Sequence, residues 1–165
     1  MSGTRSVVGT STRTEAFLAG KTAYAFQAIL SELGLSRPAL DYDWDDVEDA
    51  IQVWLAEGSL NGVDMEVRRR GATTVLACFE VDIVYGGGMA TMRHDAETAR
   101  LAARKVADVA CGEMTFRIFM RTASWRTPVD GWSRGPHGDR TNLRRRAVGE
   151  LARGPGMSSQ LNYSR

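Results

Sequence analysis

Apolar positions recur first at helical spacing, then alternate, then return to helical spacing. Leu18, Thr22, Phe26, Ile29 and Leu33 fall three or four apart and make one apolar face. This predicts a helix from near Thr14, a candidate N-cap, to Gly34, a C′ glycine. Residues 2–12 are small, polar and unpatterned, and read as a mobile arm over 1–13. Residues 36–42 read as a connector, with Pro38 blocking helix. A second helix is predicted over Asp43–Glu57. Asp43 caps it, Asp45, Asp46 and Glu48 suit its positive end, and Trp44, Val47, Ile51, Trp54 and Leu55 form its buried stripe.

After Gly58 the period drops to two. Val63, Met65 and Val67 alternate with Asp64, Glu66 and Arg68, the pattern of a half-buried strand. Arg70-Gly71 makes a turn. Val75, Ala77, Phe79, Val81 and Ile83 then line one face of a longer strand, and Leu76, Cys78 and Val84 on the other face mark it as central. Gly86-Gly87-Gly88 breaks it. Asp95 caps a third helix predicted to reach Val109, with Leu101, Ala102, Lys105, Val106 and Val109 on one face. Thr115–Thr122 is a further strand, with Phe116, Ile118 and Met120 on one side and Phe119 on the other. Residues 123–138 are rich in Gly, Pro and Trp and carry no clean period. Asn142–Leu151 fits a strand (Leu143, Arg145, Ala147) better than a short helix. Gly154-Pro155-Gly156 sets off a flexible tail over 154–165. Segregated helices and antiparallel strands indicate an α+β fold.

Composition narrows the class. The 165 residues suffice for one domain with a real core, and 43% hydrophobic with 25% charged residues is ordinary for a globular protein. No apolar run approaches the roughly 20 residues of a membrane span, and the N-terminus lacks a secretory h-region. With two cysteines, Cys78 and Cys111, read as free thiols, the expected location is a reducing cytoplasm. The net charge of +1 is unevenly spread. Asp41 to Glu66 holds nine acids and no Lys or Arg, while Thr115 to Arg165 holds ten Arg against three acids. Such a chain is expected to offer separate acidic and basic faces.

Catalytic equipment is sparse. His94 and His137 have no partner at metal-ligand spacing, so no metal site is expected. His94 before Asp95 reads as a helix-start residue. His137 and Asp139 could orient one another beside Ser124 or Ser133, but no nucleophile elbow is present. The glycine triplet lacks the lysine and spacing of a phosphate loop. Asp45 and Asp49 read as a solvated or docking face. Arg144, Arg145 and Arg146 with Trp125 and Trp132 make the alternative reading, an Arg-rich nucleic-acid-binding module. The tail, with Met157, Leu161 and Tyr163 at spacings of two and four, suits strand addition to an exposed sheet edge.

Several stretches resemble the bacterial HORMA-domain proteins. Phe17–Leu33 looks like the family's first long helix, and Ile51 to Val63, around Gly58 and Leu60, looks like its helix-to-strand junction. Met65–Arg70 and Thr73–Val84 look like its hairpin, and Gly138 to Arg146 like its Arg-containing C-terminal strand. The resemblance implies a three-stranded antiparallel sheet backed by about three helices, spanning 14–153. A C-terminal safety belt, about 123–153, would trap a closure-motif peptide added as a strand.

It further implies a non-enzymatic signalling adaptor in anti-phage defence, without cofactors. The closed form would activate a cyclic-oligonucleotide synthase of the cGAS/DncV-like type (a CD-NTase), with nucleic acid as a possible neighbour of that synthase. An AAA+ remodelling ATPase would reopen it by gripping the arm at Ser2, Gly3, Thr4 and Arg5. Phe116, Ile118, Phe119 and Met120 of the edge strand, with Trp125, Trp132, Leu143 and Arg145 of the belt, would hold the peptide. The tail, through Met157, Leu161, Asn162 and Tyr163, is a candidate closure motif in cis or in trans.

Overall fold

The computed structural model describes residues 2–88, 92–106, 113–133, 135 and 137–165, with side chains from residue 14 onward and, in the fourth helix, as far as 105. In chain order the elements are α1 (Ser2–Glu32), α2 (Ser36–Leu40), α3 (Trp44–Ala56), β1 (Leu60–Arg69), β2 (Val75–Tyr85), β3 (Arg93–His94), α4 (Ala96–Val106), β4 (Met114–Thr122), β5 (Arg145–Gly154) and β6 (Met157–Ser164).

The helix expected from Thr14 starts at Ser2. Residues 2–13 contain no proline, and a helix already nucleated downstream extends at the cost of propagation alone. The expected arm, with Ser2, Gly3, Thr4 and Arg5, is therefore helical backbone. Pro38, expected to block helix, lies inside the short α2, in the first turn where its missing N–H is not needed. In α3 the Asp43 carboxylate accepts from the Asp46 N–H at 3.1 Å. Gly58, at φ 75°, ends the helix in the left-handed region. Asp95 caps α4 through the Glu97 N–H at 3.0 Å. That helix buries Thr98, Ala99, Ala102 and Ala103, leaving Leu101, expected on the apolar face, 43% exposed. Val109 and Cys111 lie outside the described residues. His94, read as a helix-start residue, belongs to β3.

The sheet is antiparallel and six-stranded, in the order β3-β5-β6-β2-β1-β4. The three strands the sequence suggests first, β2-β1-β4, form one half. The C-terminal hairpin β5–β6 docks on the free side of β2 and makes β2 central. The flexible tail is therefore a correction. Gly154-Pro155-Gly156 is the hairpin turn, with Gly156 at φ 80°, and Met157, Leu161, Asn162 and Tyr163 belong to β6. Met157, Ser159, Leu161 and Tyr163 all turn to the buried side. The tail does add itself as a strand, but to β2 and within its own chain.

One face of the sheet meets the helices. Leu18, Phe26, Ile29 and Leu30 of α1, with Ile51, Trp54 and Leu55 of α3, pack on Val63, Met65, Phe79, Val81 and Leu161. The opposite face departs from expectation. Asp64 and Glu66 should be solvated if β1 is half-buried, yet both are fully buried, because residues 138–140 cross over them.

Candidate functional site

Along its outer side, β4 is the sheet's end strand: among the described residues it pairs with β1 alone. Beside that edge runs a groove of about 700 Å³. Its wall is β4 from Phe116 to Thr122, and one end is closed by Tyr42, Asp43 and Asp46 where α3 begins. Across from β4 stand Arg126, Trp132 and His137. Phe116 anchors the closed end, with its ring 5.0 Å from Tyr42 and stacked 6.2 Å from Trp44. Burial first, and Asp43 and Asp46 besides, push the Tyr42 hydroxyl above its ordinary pKa against the nearby Arg117.

The segment between β4 and β5 passes around this edge as a strap pinned on both faces of the sheet. On the helical side, the Trp54 indole N–H donates to the Thr127 carbonyl at 2.7 Å. Both the N–H and the hydroxyl of Thr127 donate to the Glu57 carboxylate, at 2.8 and 2.6 Å. With Ser59 also donating to it, the Glu57 carboxyl sits below its ordinary range. Trp132 then packs edge-on against Trp54 at 6.5 Å, and Arg126 lies 4.5 Å over the Trp54 ring.

On the far face the strap is tied by charge. Arg140 donates through Nε to Glu66 at 2.5 Å and through Nη1 to Asp64 at 3.0 Å, while the Gly138 N–H donates to Glu66 at 3.0 Å. Asp139 exchanges backbone hydrogen bonds with Thr73 and Val75, both 2.9 Å. From β4, Arg121 reaches over Gly62 to Asp64 at 2.8 Å and Asp82 at 2.6 Å. A side chain at position 62 would not leave room: a Cβ there would stand 2.1 Å from Arg121 Nη2. Burial works against the Arg121 charge, but Asp64 and Asp82 outweigh it and raise its pKa. Arg145 of β5 pairs with Glu80 at 3.0 Å and also with Asp82, and the Asn162 amide donates to Asp82 at 2.9 Å.

Of the residues expected to hold a peptide, Phe116, Ile118, Phe119, Met120 and Trp132 come together in the groove. Trp125 stands 63% exposed and does not line it, and neither do Leu143 and Arg145, the latter being held by Glu80 and Asp82. Sequence reasoning missed Tyr42, Arg117, Arg126 and His137 as lining residues and Arg121 and Arg140 as ties. The signal available for the ties was the pairing of buried-strand acids with an Arg-rich C-terminus.

The triad reading does not hold. The Asp139 carboxylate accepts from the Thr141 N–H and hydroxyl, at 2.9 and 2.6 Å, while His137 packs edge-on against Phe119. Of the residues in the nucleic-acid reading, Trp132 is packed on Trp54 and Arg145 is paired with Glu80 and Asp82, while Trp125 is 63% exposed.

The sequence model of the family "Bacterial HORMA domain 2" matches residues 3–165. The chain belongs to that family. No curated protein matches it by sequence. Among solved structures, this HORMA domain resembles a chain of the mitotic checkpoint complex at TM-score 0.70 and 10% identity, covering 91% of this chain and 97% of that one. It resembles C. elegans HTP-1 bound to the HIM-3 closure motif at TM-score 0.61 and 12% identity, covering 92% and 89%. A chain of the E. coli MS115-1 HORMA:CdnC:Trip13 complex matches at TM-score 0.60 and 15% identity, covering 94% and 89%. At these identities the likeness is one of fold. Among the described residues of this HORMA domain, no helix is long and apolar enough to cross a membrane.

Proposed function

We propose that this HORMA domain is a non-enzymatic adaptor that captures an extended peptide on the β4 edge and holds it under the strap. One observation carries the reading: among the described residues nothing pairs with the outer backbone edge of β4 along the groove, and the strap is pinned on both faces of the sheet around that edge. An added strand would satisfy the backbone of β4 while its side chains meet Phe119 and Trp132. The expected belt, 123–153, divides here into a strap over 123–144 and the docked strand β5. Because β6 is spent on β2, the strand that fills the β4 edge is a different segment from 157–164. The solved structures of like fold include HTP-1 bound to the HIM-3 closure motif and a HORMA:CdnC:Trip13 complex. On that analogy, the peptide-bound form acts on a cyclic-oligonucleotide synthase in anti-phage signalling and is reopened by an AAA+ ATPase acting on the N-terminal end of α1.

The test pans a random 12-residue peptide display library against the full chain. Selected peptides are then mapped by hydrogen exchange. The expected result is peptides that slow exchange at the amides of 117–121, with binding weakened at least ten-fold by Phe119→Ala. Selection of no peptide, or of peptides that protect other surfaces only, refutes the reading.

A further inference from the structure

The groove holds two uncommitted cations. Arg121 is tied to Asp64 and Asp82, and Arg140 to Asp64 and Glu66. Arg117 and Arg126 line the groove as well, and among the described residues neither has a carboxylate within ion-pair distance. Each guanidinium lies over a ring instead, Arg117 at 5.3 Å from the centre of Phe119 and Arg126 at 4.5 Å from that of Trp54. Stacking occupies the flat face of a guanidinium and leaves its rim of N–H donors for a carboxylate. The groove's own acids, Asp43 and Asp46, stand at the Phe116 end, where they cap and open α3 and are offset by its positive end. Arg117 faces them across the Tyr42 hydroxyl, on which the two signs act in opposite senses. That end is near charge balance, and positive charge grows toward Arg126.

The two faces of β4 add a second constraint. In register with Glu66, Asp64 and Gly62, the residues Arg117, Phe119 and Arg121 turn to the far face of the sheet. Phe116 and Ile118 turn to the helices and are 8% and 7% exposed, with half-buried Met120 beside them. A strand laid along β4 places its side chains opposite these, about 4.5–5.5 Å away between Cβ atoms, alternately on the two faces. Resting on the peptide-capture reading, we infer that the groove selects an acidic peptide: apolar side chains pack on Ile118, Met120 and Trp132, one acid faces Arg117 on the far side, and a second meets Arg126 at the Thr122 end. An acid beyond Phe116 meets Asp43 and Asp46 and is disfavoured there. Exposed charge pairs of this kind discriminate between ligands more than they add affinity.

The test pans the random 12-residue display library in parallel against the full chain as wild type, Arg117→Glu and Arg126→Glu, with hydrogen exchange over 117–121 locating the selected peptides. The wild type should return peptides in which Asp and Glu outnumber Lys and Arg, with an acid flanked by apolar residues. A synthetic peptide from that pool should bind either variant about three-fold or more weakly, and exchanging the matching acid for Lys should restore binding to that variant. Arg117→Gln and Arg126→Gln, which remove the charge without reversing it, should lose part of the affinity and serve where a reversed charge lowers the urea midpoint. Peptides that protect 117–121 but carry no excess of acid, or that bind the wild type and all four variants alike, overturn the inference and leave peptide capture standing. If no selected peptide protects 117–121, both fall.

Discussion

Replacing Arg140 with methionine isolates the charged tie between the strap and β1. Arg140→Met keeps most of the side-chain volume and removes the charge. Among the described residues, Glu66 then retains the Gly138 N–H at 3.0 Å, and Asp64 retains Arg121 at 2.8 Å. Both carboxylates stay essentially inaccessible, with side chains 0% and 1% exposed. Breaking a buried pair from one side costs about 3–5 kcal/mol, because the remaining charge has neither water nor partner. Asp64 keeps one guanidinium, so the lower half of that range applies unless the strap lifts away. A domain of this size loses roughly 2–4 °C of Tm per kcal/mol, which gives a fall of about 6–16 °C at that lower half.

The assay is urea unfolding of the full chain, comparing midpoints at constant slope. A double-mutant cycle with Glu66→Gln completes it. Neutralising Glu66 removes the stranded charge, so the double variant should be less destabilised than Arg140→Met plus Glu66→Gln taken separately. A loss below about 1 kcal/mol for Arg140→Met, the level of an exposed pair, would show that Asp64 and Glu66 reach water in solution and that Arg140 does not tie the strap down. Simple additivity would show that Arg140 and Glu66 do not act as a pair.

Three further outcomes are expected. Gly138→Ala should cost about 1–3 kcal/mol in the same urea assay, since a Cβ there meets Val75 Cγ2 at 2.7 Å and the Thr73 carbonyl oxygen at 2.8 Å, and a backbone oxygen yields little. Leu161→Ala, at a fully buried position of β6, should cost about 2–5 kcal/mol, and truncation after Arg153 should abolish cooperative unfolding rather than merely remove a tail. Burial first, and Lys21 next, hold His94 below its ordinary value of 6.5, against Asp95. The unfolded chain therefore takes up that proton first. The neutral imidazole's contribution is complete above 6.5 and declines as pH falls below it. The urea midpoint should drop between pH about 7.5 and about 5.5, and His94→Phe should flatten that drop.

Much of the helical layer and the central hairpin was legible because local chemistry decides them. The Asp43 cap, the Gly58 stop and the stripe Val47, Ile51, Trp54, Leu55 are short-range signals, and the structure keeps each one. The helical run before Thr14 was not legible, because residues 2–13 lack the apolar face that periodicity detects. The tail was misread for a related reason. Met157, Ser159, Leu161 and Tyr163 show the alternation of a strand, but a strand after a Gly-Pro-Gly breaker gives no sign of where it will pair. Only the unfilled side of β2 determines that, and it lies far away in sequence.

The groove was half legible on the same logic. Phe116, Ile118, Phe119 and Met120 announce a strand, but its place at the sheet edge came only from the family resemblance. The ties through Arg121 and Arg140 were hidden by a reasonable inference from charge. A chain with its acids in one segment and its arginines in another reads as having two solvated faces. Here much of that asymmetry is consumed internally: Asp64 and Glu66 on β1, with Glu80 and Asp82 on β2, are met by Arg121, Arg140 and Arg145 from the C-terminal third. Alternate acids on two adjacent central strands cannot stay charged under a covering chain unless that chain brings the opposite charge. The covering chain must then be Arg-rich, and it can settle only where the acids are. The charge segregation that looked like surface decoration thus specifies where the strap lies, and so where the groove closes.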